Sequence, residues 1–105
     1  MADTLTRLEA TIASRKGADP ASSYVASLFA KGRPKIARKF GEEAVEAIVA
    51  ALAEDKAALT GEAADTIFHL LVLLADAGIS LAEVFAELER REGTSGHDEK
   101  ASRLA

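Results

Sequence analysis

Apolar residues recur every three to four positions along most of this chain, and they do not alternate with polar ones over the length of a strand. That period predicts helices throughout. The first starts at the cap candidates Asp3 or Thr4 and carries Leu5, Leu8 and Ile12, until Gly17-Ala18-Asp19-Pro20 supplies turn chemistry. Ser22 or Ser23 caps a short second helix bearing Tyr24, Val25, Leu28 and Phe29, which Gly32 stops and Pro34 cannot continue. A third helix, from about Pro34 to Ala53, spaces Ile36, Phe40, Ala44, Val45, Ile48, Val49 and Leu52 along an apolar face. Gly41 within it costs about 1 kcal/mol against alanine. It reads equally as a tolerated glycine or as a point where a backbone or ligand comes close.

A turn at Asp55-Lys56 leads to a fourth helix from about Ala57 to Ala77, ended by Gly78. Between Ile67 and Leu74 that helix is apolar nearly all round, apart from His69, so it must be covered on more than one side. The remaining helices of one short subunit hardly suffice, which predicts a homodimer or higher homo-oligomer packed through this helix. Ser80 caps a fifth helix through Leu81, Val84, Phe85 and Leu88, and Glu83 completes a capping box. The expected fold is all-α, an antiparallel bundle of about five helices over residues 1–92. Residues 93–105 are expected to form a polar, mobile tail.

Composition narrows the chemistry. A chain of 105 residues makes one domain, and a net charge of −4 argues against a nucleic-acid binder, which needs a basic face. No cysteine is present, so disulfides, thiolate nucleophiles and cysteine-based zinc sites are excluded. The N-terminus lacks the basic start and apolar run of a secretory signal, and the run Ile67 to Ala75 falls short of the ~20 residues of a membrane span. A soluble cytoplasmic protein without nucleic-acid or membrane partners is expected.

The acidic residues carry the most information. Glu43-x-x-Glu46 and Glu62-x-x-Asp65 each place two carboxylates one helical turn apart on the same face. Such pairs repel by roughly 0.2–0.5 kcal/mol when exposed and more when shielded. Mg²⁺ would offset this, since it takes carboxylate oxygens together with substrate phosphates. The short turn makes the third and fourth helices antiparallel neighbours, and at about 1.5 Å per residue the two pairs come out nearly level. Glu42, one turn before Glu46, is a further ligand candidate. The competing reading is a solvated face paired with bases. Lys39–Glu43 and Arg38–Glu42 have the spacing, but both have the weaker orientation, with the base N-terminal to the acid.

Lys31, Arg33, Lys35, Arg38 and Lys39 crowd five of the 13 basic residues into nine positions at the start of the third helix, where its dipole disfavours them. An anion such as phosphate relieves that crowding. Carboxylates for Mg²⁺ beside lysines for phosphate are the two halves of a nucleotide polyphosphate site. Neither histidine has a glutamate three residues before it, so a di-iron carboxylate bundle is not indicated. His69 reads better as a buried supporting group than as a ligand. No glycine-rich phosphate loop appears.

Glu-x-x-Glu, fifteen residues, then Glu-x-x-Asp resembles the signature of the MazG-like all-α nucleoside triphosphate pyrophosphohydrolases. Longer segments narrow this. Ser23 to Gly32, Lys35 to Glu46 and Glu62 to Leu74 are similar to the phosphoribosyl-ATP pyrophosphatase family, over most of residues 5–91. The resemblance implies hydrolysis of phosphoribosyl-ATP to phosphoribosyl-AMP and pyrophosphate, an early step of histidine biosynthesis. It also implies Mg²⁺, a dimer or higher assembly, and the free-standing form without a fused cyclohydrolase. By position, the resemblance makes Glu43, Glu46, Glu62 and Asp65 metal ligands with Glu42 as an accessory, makes Lys31, Arg33, Lys35 and Lys39 phosphate-binding candidates, and has Glu43 or Glu46 accept the proton of the attacking water. Two departures stand out: Phe68 replaces a frequent tyrosine, and Arg38 replaces a residue that is often uncharged. The rival readings are a house-cleaning enzyme of the same superfamily, acting on other nucleoside triphosphates, and a non-catalytic helical adaptor.

Overall fold

Local signals in the sequence set where the helices start and stop. In the computed structural model, which describes residues 2–104, they are α1 (Ala2–Ser14), α2 (Tyr24–Lys31), α3 (Arg33–Ala53), α4 (Lys56–Ala77), α5 (Leu81–Arg90) and α6 (Gly96–Leu104), with no strand among the described residues. Ser23 caps α2 by accepting the Ala26 N–H at 3.1 Å, and Asp55 caps α4 by accepting that of Ala58 at 2.9 Å. The Ser80–Glu83 capping box closes in both directions at the start of α5. Gly78 ends α4 at φ +75°, a left-handed conformation that lets the Ile79 N–H reach the Leu74 carbonyl at 2.9 Å. Helix α1 starts earlier than expected, at Ala2, so Asp3 and Thr4 lie in its first turn rather than capping it. Helix α3 starts at Arg33, with Pro34 in its first turn, where no N–H is needed.

Helices α3 and α4 form the principal antiparallel pair, and α1 and α2 pack against α4 and its neighbour. Ile12, Leu28, Ile36 and Val72 are fully buried, each contributing about 1.5–3 kcal/mol, and Val25, Leu71 and Leu81 complete the core. Glu9 of α1 accepts the Leu81 N–H at 2.7 Å, tying the start of α5 to the bundle. At 22 residues α4 is long and apolar enough to cross a bilayer. It also carries Glu62 and Asp65 and packs against three other helices.

Two features differ from the sequence expectation. The α3 seam facing α4 holds Ile36, Glu43 and Ala50 buried, with Phe40 and Ala47 half-buried between them, a 3–4 spacing that places a glutamate in a core position. The larger apolar residues Val45, Ile48, Val49 and Leu52 face outward instead, Leu52 being 84% exposed. The unpartnered apolar surface therefore lies chiefly on α3, joined by Leu59 and Ile67 of α4. The second difference is α6, a sixth helix where a polar tail was expected. Its sequence has no apolar stripe. Charge holds it: Glu99, only 5% exposed, accepts Arg90 at 2.6 Å and lies 3.7 Å from Arg91 and 3.8 Å from Arg103.

Candidate active site

The carboxylates meet at the α3–α4 seam. Glu43, Glu62 and Asp65 each offer an oxygen within 4.8 Å of the other two. Glu43 is buried, Glu62 half-buried and Asp65 exposed, so the cluster runs from the seam out to solvent. Glu43 Oε2 and Glu62 Oε2 are buried without any hydrogen-bond partner. Leaving such atoms unmet costs about 1–3 kcal/mol each, more when charged, and repulsion between the acids adds to it. Three carboxylate oxygens at this spacing, beside two orphaned ones, suit a hard divalent cation.

Glu46 stands at the exposed rim, outside that trio but coupled to it. The neighbouring Glu43 carboxylate, then that of Glu62, holds its carboxyl above the usual carboxylate range. Glu42 is exposed and only grazes Lys39, at 4.0 Å. Lys39 lies 3.4 Å from Glu43, which keeps its ammonium protonated above the usual lysine range. The lysine–glutamate pair of the solvated-face reading thus exists, but its acid is buried in a helix seam.

Thr66 fixes the two helices at this level. Its hydroxyl lies 2.8 Å from the Glu62 carbonyl and 3.1 Å from the Glu43 carbonyl across the seam. His69, one turn further, is 5% exposed. Its Nδ1 lies 2.7 Å from the Asp65 carbonyl and its Nε2 lies 2.9 Å from the Tyr24 hydroxyl. Tyr24 stacks on Phe68, with ring centroids 6.3 Å apart and planes 20° apart. Burial, then the charges of Glu43, Asp65 and Glu42, raise the Tyr24 hydroxyl above its ordinary range against the opposing effect of Lys39.

The basic residues are not brought together as a group. Lys39 alone touches the acids. Arg33 is drawn away to α4, donating to the Asp76 carboxylate at 2.8 Å and the Asp76 carbonyl at 3.0 Å. Lys31 and Lys35 are exposed and enter no ion pair among the described residues. Arg38, Gly41, Glu42, Val45 and Glu46 line an open depression beside the cluster. A Cβ on Gly41 would meet nothing within 4 Å, which favours the tolerated glycine over a close approach within the subunit.

A family model described as phosphoribosyl-ATP pyrophosphohydrolase matches residues 5–92. The chain belongs to that family. Among its relatives, a phosphoribosyl-ATP pyrophosphatase of Rhizorhabdus wittichii is 65% identical over 103 residues, covering 98% of this chain and 97% of the relative. One of Dinoroseobacter shibae is 68% identical over 99 residues, covering 94% and 97%, and one of Paramagnetospirillum magneticum is 66% identical, covering 94% and 91%. Membership makes the chain a hydrolase and fits the all-α bundle.

Within this pyrophosphohydrolase the carboxylate trio was legible from spacing, whereas the Tyr24–His69 contact was not. Those residues lie 45 apart on different helices, and the only signal was that a histidine interrupts an otherwise apolar run.

Proposed function

We propose that the chain hydrolyses phosphoribosyl-ATP to phosphoribosyl-AMP and pyrophosphate, as a soluble cytoplasmic enzyme of histidine biosynthesis that depends on Mg²⁺. The observation that carries this is the pair of buried, unpartnered oxygens on Glu43 and Glu62 within reach of Asp65. Glu43, Glu62 and Asp65 would hold the cation, with Glu46 at the rim and Glu42 as an accessory. When bound, Mg²⁺ supplies charge neutralisation for the triphosphate.

The chain's own groups account for the rest. A water oxygen bonds to the α-phosphorus, the bond from that phosphorus to the bridging oxygen breaks, and pyrophosphate leaves with the electron pair. Glu46 is the better proton acceptor for that water, because it faces solvent while Glu43 is buried against Lys39. Lys39 sets a positive charge beside the acids, where phosphate oxygens arrive, and Lys35, one turn earlier, extends it. Lys31 serves the outer phosphates, and Arg33 contributes less because Asp76 already occupies it. Catalysis of this kind is mostly positioning and electrostatics.

The outward face of Val45, Ile48, Val49 and Leu52 supports a homodimer or higher assembly. Sedimentation of Val49→Asp should show a smaller species than the parent chain, and an unchanged assembly would remove this face from the interface.

The substrate assignment is tested by offering phosphoribosyl-ATP, ATP and dUTP with Mg²⁺ and measuring pyrophosphate. Release confined to the first is expected. Preferential release from ATP or dUTP would move the chain to the house-cleaning class, and none from any would favour an adaptor.

A further inference from the structure

Tyr24 is an exposed aromatic held with unusual rigidity. Half of its surface faces solvent, yet its ring is stacked on Phe68, set edge-on to His69 at 5.8 Å, and hydrogen-bonded through its hydroxyl. It is the first residue of α2, fixed there by the Ser23 cap. A solvated surface tyrosine needs none of these restraints.

The direction of the hydroxyl proton follows from its partners. The Asp65 carbonyl can only accept, so the His69 tautomer that fits it carries its proton on Nδ1 and donates at 2.7 Å. Nε2 is left with a lone pair and accepts the Tyr24 O–H at 2.9 Å. The phenolic oxygen therefore has its proton committed inward and can only accept from whatever lies on its open side. The charges of Lys39, Glu43, Asp65 and Glu42 all act on that oxygen. An oxygen whose own proton is committed to His69 is satisfied on its open side by a hydrogen-bond donor.

We propose that Tyr24 binds the nucleotide by accepting a hydrogen bond from a hydroxyl of its adenosine ribose, and that His69 is the positioning residue holding Tyr24 in this acceptor state. This rests on the phosphoribosyl-ATP reading above. The adenosine ribose is the sugar attached to the α-phosphate, so it sits next to the carboxylate cluster when the triphosphate does. The second ribose lies across the base, farther away. A ribose hydroxyl can supply such a donor. Phe68, stacked behind Tyr24, keeps the ring from turning away when the site is empty of substrate.

The test compares phosphoribosyl-ATP with analogues lacking the 2′- or the 3′-hydroxyl of the adenosine ribose, in the full chain and in Tyr24→Phe. One deoxy analogue should lose about tenfold in kcat/KM with the parent enzyme, chiefly through KM, the size of one such hydrogen bond. Tyr24→Phe should lose about the same factor on phosphoribosyl-ATP and show no further loss on that analogue. His69→Leu should behave like Tyr24→Phe, whereas His69→Gln, whose amide oxygen can accept from Tyr24, should recover most of the discrimination. Equal sensitivity of parent and Tyr24→Phe to both deoxy analogues would overturn the proposal, even if His69→Leu fails to fold. So would a parent enzyme indifferent to both hydroxyls. An absence of turnover of phosphoribosyl-ATP by the parent would overturn the substrate assignment as well, which separates the two failures.

Discussion

Replacing Glu62 by glutamine should make the metal-free protein more stable while removing its activity. Glu62 has a buried oxygen without a partner and no cation within ion-pair distance among the described residues, unlike Glu43, which has Lys39. Its carboxylate shares the 4.8 Å cluster with Glu43 and Asp65. Two charges at that separation repel by about 3.5 kcal/mol at an effective dielectric of about 20, and by about 0.9 kcal/mol in bulk water. Asp65 is exposed and Lys39 opposes part of the negative field, so the lower half of that range applies. Neutralising Glu62 should then stabilise the chain by about 1–2 kcal/mol, or about 5–10 °C in melting temperature. The assay is thermal unfolding followed by circular dichroism at one fixed protein concentration, first in EDTA and then in Mg²⁺. With Mg²⁺ the order should reverse, because a cation at a hundred times its Kd adds about 2.7 kcal/mol to the parent and much less to the variant. A variant that melts at or below the parent in EDTA, and gains as much from Mg²⁺, would refute the reasoning.

Further outcomes follow from the same geometry. Thr66→Val keeps the shape but removes the hydroxyl linking the Glu43 and Glu62 carbonyls; chemical denaturation should show a loss of about 0.5–1.5 kcal/mol. Lys39→Ala should raise KM several-fold more than Arg33→Ala, because Asp76 already holds the arginine. The exposed Arg33–Asp76 pair should contribute no more than about 1 kcal/mol to stability, measured on the same variants. Arg90 and Arg91 hold Glu87 at a pKa of about 2, below its ordinary 4.5. A carboxylate depressed in this way stabilises the fold above the unfolded value and loses that contribution as pH falls toward the folded one. The protection of α5 amides, exchange rates taken relative to their intrinsic values at each pH, should therefore fall between about pH 4.5 and 2, and Glu87→Gln should blunt that pH dependence.

The sequence revealed most about features set by neighbours along the chain. Ser23, Ser80 with Glu83, and Gly78 mark helix ends through contacts spanning a few residues and were readable, whereas Asp55, the cap of α4, was read only as part of a turn. The acidic pairs were readable for a related reason, since one short turn fixes how α3 and α4 line up. The orientation of α3 was not. Two apolar sets compete on it, and the larger one, with Val45, Ile48, Val49 and Leu52, suggested the core side. The actual seam uses small alanines and Glu43 to bring α4 close, and leaves the bulky set outside. A buried glutamate is unfavourable for one subunit considered alone, which is why patterning by hydrophobicity passes over it. Helix α6 escaped notice because charge rather than an apolar face holds it, through Glu99 between Arg103, one turn on in the same helix, and Arg90 and Arg91 across the break from α5. Arg33 looked like a phosphate ligand by local crowding, and only the fold reveals its partner 43 residues away.

The most direct measurement is pyrophosphate release from phosphoribosyl-ATP by the full chain stripped with EDTA and then titrated with Mg²⁺, alongside Glu43→Gln and Asp65→Asn. Release should be absent without the cation, rise to saturation as Mg²⁺ is added, and stay near background in both variants while their helical circular dichroism matches the parent. Full release in EDTA, or parent-like rates in either variant, would contradict a catalytic cation held between α3 and α4.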